Sequence, residues 1–285
     1  MAIVENTNIN PELVKNVDPD LQPTTKRIMG SVSYAASFMG GCVSIGTFSM
    51  GAGLIGELTV VQAVIAMTIG CLVIAVALAM IGECGHTYGI PFTVQLRSSF
   101  GFTGVKIPGV LRGLPAIVWF GYQSWVGAGA INSCFDILFG FDNLPVIYGL
   151  FTILQVLLAI KGFEGIKWME NISCIFIIAI LAYMLYVVNT EFATEIGDVF
   201  SGIEGTWGMP FWAATTSFLG IYSTMIINAS DYSRNATDDI KPVKAASIYT
   251  IAILPVKLFM GLIGLLVTAA TGNSDPVVVF STTMD

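Results

Sequence analysis

A chain of 285 residues that is 55% hydrophobic and only 11% charged, with mean hydropathy +0.79, points to a protein that lives in lipid. Its formal net charge of −7 comes from acids spread over connecting segments and the tail instead of forming a patch, so it says little about partners, and no nucleic-acid partner is expected. A single histidine, no HExxH, no GxSxG and no carboxylate pair inside the apolar stretches exclude a membrane-embedded enzyme, so the expectation is not an enzyme and no cofactor.

Residues 1–27 are polar and interrupted by Pro11, Asp18, Asp20 and Pro23, which reads as a disordered cytoplasmic tail without a cleavable signal peptide. Beyond it, charged residues bound seven long gaps: Arg27 to Glu57, Glu57 to Glu83, Arg112 to Asp136, Asp142 to Lys161, Glu170 to Glu191, Glu204 to Asp231, and Lys244 to Asp275. Each is about the length a helix needs to cross ~30 Å of hydrocarbon, roughly 20 residues. The predicted spans are 30–56, 59–81, 110–134, 144–161, 170–189, 207–231 and 243–270, in one membrane domain of residues 28–272. Residues 273–285 read as the start of an external loop.

Alternate threading sends Lys15, Lys26, Arg27, Arg97, Lys106, Arg112, Lys161, Lys167, Arg234, Lys241 and Lys244 to one side. The other side receives Glu57, Asp136, Asp142, Glu191, Glu195, Asp198, Glu204 and Asp275, and no basic residue. By the positive-inside rule the N-terminus is cytoplasmic, and the expected location is the plasma membrane, crossed several times. A seven-helix receptor would need the opposite orientation. Cys42, Cys71, Cys84, Cys134 and Cys174 sit in apolar segments without metal-like spacing and read as small buried hydrophobes.

Two spans look unlike ordinary helices. The first contains Gly40, Gly41, Cys42, Val43, Ser44, Ile45, Gly46 and Thr47, then Ser49, Gly51, Gly53 and Gly56; the sixth carries Gly205, Gly208 and Pro210, then Thr215, Thr216, Ser217, Gly220, Ser223 and Thr224. Backbone broken at membrane depth must line protein or a watery cavity. Small residues that only let helices pack closely are the plainer reading of either span alone. Interrupted helices five spans apart point to a transporter of inverted repeats.

In the third span Trp119 and Gln123 share a helix face that continues into Gly127 and Ala130. An indole face beside a primary amide suits a planar heterocycle: the ring stacks while the amide offers one donor and one acceptor. The tryptophan alone would serve equally as an interfacial anchor. Lys257 is the basic residue inside a span; it reads as structural, pairing with a carboxylate or polar group beyond the seventh span, although an ionisable group there is a functional candidate by default. His86, with Glu83 at the cytoplasmic end of the second span, reads as an interfacial histidine.

The segments Pro91–Gly101, Trp119-Phe120-Gly121-Tyr122-Gln123, Gly162–Glu170 and Ala229-Ser230-Asp231-Tyr232-Ser233-Arg234, in this order, resemble the nucleobase-cation symporters, closest to the purine/cytosine permease branch that includes allantoin and hydantoin carriers. The resemblance implies an all-α membrane protein with a five-plus-five inverted-repeat secondary transporter fold, and a chain that stops after about seven of its helices. It implies import of a nucleobase or related planar heterocycle such as cytosine, a purine or allantoin, driven by Na+ or H+. Trp119 would be one stacking wall, Gln123 a hydrogen-bonding partner, and Tyr222, nine positions before Asp231, the second aromatic wall in the break of the sixth span. Gly41 and Ser44 would approach the substrate, and the carbonyls of Gly40 and Val43 a cation. The expected partners are therefore a small heterocycle, a coupling cation and the lipid bilayer. An amino-acid/sodium symporter of the same fold is the alternative, disfavoured by the Trp119/Gln123 pair.

Overall fold

The computed structural model describes residues 19–160, 176, 179, 182–188, 190 and 192–274. The predicted loop of residues 162–170, most of the predicted fifth span, Cys174, residues 1–18 and residues 275–285 lie outside the described residues. Among the described residues regular structure is helical, with one isolated bridge between Met29 and Ala236.

The first predicted span is two helices, α1 (Ser31–Cys42) and α2 (Ile45–Ala52), separated by Val43 and by Ser44 in extended conformation (φ −138°, ψ 147°). Gly40 and Gly41 in the last turn of α1 lower the cost of leaving the helix there. The gap closes its own hydrogen bonds: the Val43 N–H donates to the Gly40 carbonyl at 3.1 Å, the Ser44 hydroxyl caps the Thr47 N–H at 3.2 Å, and the Thr47 hydroxyl donates back to the Cys42 carbonyl at 3.2 Å.

α3 (Val60–Ile81) opens on a reciprocal cap in which the Thr59 hydroxyl accepts from the Gln62 N–H and the Gln62 side chain accepts from the Thr59 N–H. It runs through Gly82 into α4 (Glu83–Tyr88), and the combined stretch Val60–Tyr88 is long and apolar enough to cross a membrane. Short α5 (Phe92–Gln95) and α6 (Arg97–Gly104) lead into α7 (Lys106–Phe139), which ends on left-handed Gly140. α8 (Leu144–Ile160) follows after a turn held by Asn132, whose amide donates to Asp142 at 2.6 Å and accepts from the Asn143 N–H at 3.0 Å.

α9 (Ala193–Ser201) precedes α10 (Met209–Ile227), short α11 (Ala229–Ser233) and α12 (Pro242–Thr271), the second helix apolar and long enough to span. The interruption expected around Thr215–Thr224 is absent. The hydroxyls of Thr215, Thr216, Ser217 and Ser223 donate to carbonyls three or four residues back in the same helix, so they consume the hydrogen-bonding capacity that was read as a break. The helix stops instead at Asn228 (φ −103°, ψ 25°).

Helices in lipid gain little from burying apolar surface against one another, so close approach decides their packing. α12 lies along α1, α2 and α3, and α10 along α3. Where α2 crosses α12 the backbones nearly touch: a Cβ at Gly51 would lie 1.9 Å from the Gly261 carbonyl oxygen, and one at Gly264 2.1 Å from that of Phe48. α7 and α8 pair with each other and meet this group through α10, exposing Ile117, Val118, Leu154 and Leu157. Cys42 and Cys71 are buried as expected, but Cys84 is half-buried and Cys134 is exposed on α7.

The part of the N-terminal tail that the structure describes is not loose. The Arg27 guanidinium donates to the carbonyls of His86 (2.7 Å) and Ala236 (3.1 Å) and pairs with Asp238 (3.1 Å), while the Arg234 guanidinium donates to the Asp20 carbonyl at 2.7 Å. Two arginines donating to backbone carbonyls far away along the chain offset the polar composition that suggested disorder.

Candidate substrate and cation site at the first helix break

The α1–α2 gap is where the helical ladder opens, and α7, α10 and α12 reach it. From α7 comes Trp119, 39% exposed, whose outer ring edge lies over Gly46 on α2, next to Ile221 of α10. Its ring also leans on Tyr122, centroids 5.6 Å apart. Gln123, one turn further along α7, is half-buried and no described residue hydrogen-bonds its amide. An indole edge on glycine with a free amide one turn away leaves one ring face and one donor–acceptor pair for a planar guest.

From α10 comes Tyr222, which the structure places inside a continuous helix and at 2% exposure. Its hydroxyl donates to the Phe38 carbonyl at 3.3 Å and lies 3.1 Å from the Cys42 sulfur, so it pins the last turn of α1; it would also lie 3.1 Å from a Cβ at Gly41. Trp119 and Tyr222 therefore meet the break from its two sides, the indole on α2 and the phenol on α1.

Lys257 of α12 is fully buried, and sequence reasoning missed what it touches. Its ammonium donates to the Phe218 carbonyl at 3.0 Å and sits 4.3 Å from the centroid of the Tyr222 ring. The partner expected for it lies beyond the seventh span, outside this chain; among the described residues the salt bridges are Arg27–Asp238 and Lys244–Asp239, neither of which involves Lys257. The lone basic residue in a span was the signal for Lys257; its long-range partners had none.

Of the backbone positions, the Gly40 carbonyl keeps one lone pair after accepting from Val43, and Ser44 holds its hydroxyl on Thr47. Among the described residues no cluster of His, Cys, Asp and Glu could hold a metal.

Residues 22–281 match the family model described as a permease for cytosine/purines, uracil, thiamine and allantoin. The chain is 28% identical over 273 residues to a hydantoin permease of Microbacterium maritypicum, covering 92% of this chain and 56% of that one. It is 28% identical over 239 residues to an allantoin permease of Bacillus subtilis (77% and 49% covered), and 25% identical over 291 residues to a purine-uracil permease of Arabidopsis thaliana (94% and 47% covered). The chain thus spans about half the length of the curated relatives it matches. Its fold superposes on Mhp1, a nucleobase-cation-symport-1 family transporter, with TM-score 0.85 for the closed, bromovinylhydantoin-bound conformation (26% identity) and 0.80 for the inward-facing one (27% identity), covering 94% of this chain and 61% and 60% of those. With the family model covering nearly the whole chain and the helices arranged as in Mhp1, this membrane protein belongs to the family of permeases for cytosine/purines, uracil, thiamine and allantoin.

Proposed function

We propose that the chain forms the solute-binding region of a secondary active transporter that moves a planar heterocycle, nucleobase- or hydantoin-like, across the plasma membrane with a cation, Na+ or H+. The observation that carries this reading is the Trp119 indole laid on Gly46 at the α1–α2 gap, one turn from the Gln123 amide. The guest would stack on the free face of Trp119 and exchange hydrogen bonds with Gln123, with Ser44 and Gly41 at its edge and Tyr222 behind. Stacking of this kind contributes ~1–3 kcal/mol and a paired amide contact a similar amount. The carbonyls of Gly40 and Val43 would face the cation. The seven spans rest on the charge-free gaps, and the cytoplasmic N-terminus on the distribution of basic residues.

The spans that carry α1–α4 and α10–α12 would rock against the α7–α8 pair to open the site to either side. The test is quenching of tryptophan fluorescence by hydantoin, allantoin, uracil and cytosine in purified protein, with counterflow uptake in proteoliposomes. Saturable quenching lost in Trp119→Phe, together with exchange of the same solute, is the expected result. Exchange of amino acids but none of these heterocycles would replace the reading with that of an amino-acid symporter.

A further inference from the structure

Lys257 stands outside the stacking site but touches Tyr222, whose hydroxyl reaches the last turn of α1. Its ammonium offers three donors and one full charge. It receives one carbonyl, that of Phe218 at 3.0 Å, and one ring face, that of Tyr222 at 4.3 Å. The titratable side chains that face it are Tyr222 on α10, Cys42 on α1 and Cys71 on α3; α2 carries none, and the acids of α9, Glu195 and Asp198, are exposed. With one hydrogen bond, one ring face and no carboxylate among the described residues, the buried charge is only partly compensated, which narrows the gap between the charged and the neutral amine.

The two states differ in their grip on the break. Charged, Lys257 attracts the Tyr222 ring, and the Tyr222 hydroxyl holds Phe38 and Cys42 in the last turn of α1. Neutral, it loses that attraction and releases the end of α1 that borders the solute. Resting on the transport function proposed above, we propose that the Lys257 amine is the proton-binding site that couples solute movement to a proton gradient. The step is proton transfer alone: the amine takes a proton from water on one side and returns it to water on the other, and no other bond changes.

The experiment is accumulation of hydantoin, allantoin, uracil and cytosine by the native protein in proteoliposomes, with a pH gradient and without sodium, beside counterflow exchange and a trapped pH-sensitive dye. One pH unit per proton supports about tenfold accumulation. Wild type is expected to approach that ratio, and the transported solute to carry protons inward. Lys257→Met, neutral, and Lys257→Arg, permanently charged, are expected to fall to a ratio of about one, and their exchange, whatever its rate, no longer to vary with pH. Gradient-driven accumulation by either variant at the wild-type ratio overturns the assignment. So does wild-type accumulation that follows sodium and ignores the pH gradient, a result that leaves the transport function standing. A wild-type protein that exchanges none of these solutes overturns both.

Discussion

Trp119 and Gly46 occupy one another's space: a Cβ at residue 46 would lie 2.7 Å from Cη2 and 3.0 Å from Cζ2 of the indole. The glycine is therefore part of the wall that positions the ring. Trp119→Ala should weaken heterocycle binding roughly 5- to 150-fold, the equivalent of one stacking contact, while expression and membrane insertion persist. Unchanged affinity for every heterocycle titrated against an intact protein would remove the stacking role.

Gly46→Val should displace the indole from the opposite side and reproduce much of the same loss. Because both variants act on one contact, the double variant should bind little worse than either single one. Additive losses in a titration of all four proteins would mean that Gly46 acts by another route.

Gln123→Ala should change selectivity as well as affinity, since an amide that pairs with amino and keto groups discriminates between heterocycles that differ in them. Relative affinities for cytosine, uracil, hypoxanthine and allantoin give the measurement. An equal drop for all of them would reduce Gln123 to packing.

The apolar gaps and the glycines of Gly40-Gly41 made the helical membrane architecture and the first break legible, because both depend on local composition. The second break was misplaced because a serine or threonine in a helix carries two opposite messages. In isolation it competes with the backbone, but Thr215 and Ser217 spend their hydroxyls on the carbonyls of their own helix. The four-residue spacing of Trp119 and Gln123 placed both on one helix face, which is a local property of the sequence. The contacts of Tyr222 with Phe38 and Lys257 join residues distant in the chain and leave no periodic trace. The binding of the Asp20–Arg27 segment was hidden for the same reason.

Gly51→Ala should lower the thermal unfolding temperature in detergent, because its methyl would press on the Gly261 backbone, 1.9 Å away, which cannot rotate aside as a side chain can. Overpacking of this kind costs roughly 1–3 kcal/mol or more. Gly129→Ala, with nothing within 4 Å of the new methyl, is the matched control and should leave the temperature unchanged or raised.

The segment of residues 190–206, rich in acids and free of lysine and arginine, should face outward. A single cysteine introduced at Glu195 should react with an impermeant maleimide added to whole cells. Labelling that requires access from the cytoplasm would reverse the assigned orientation.

Arg27 fastens the chain entering α1 to the end of α4 and to the turn between α11 and α12, beside the backbone hydrogen bonds that join Thr24 to Gly89 and Met29 to Asn235 and Thr237. At the far side of the same body, Gly51, Gly261 and Gly264 lock α2 onto α12. In the rocking proposed above, a block of helices held at both ends would move as one piece, and the Gly46–Trp119 contact would lie at its border with α7, where a bound guest would act as a removable hinge pin.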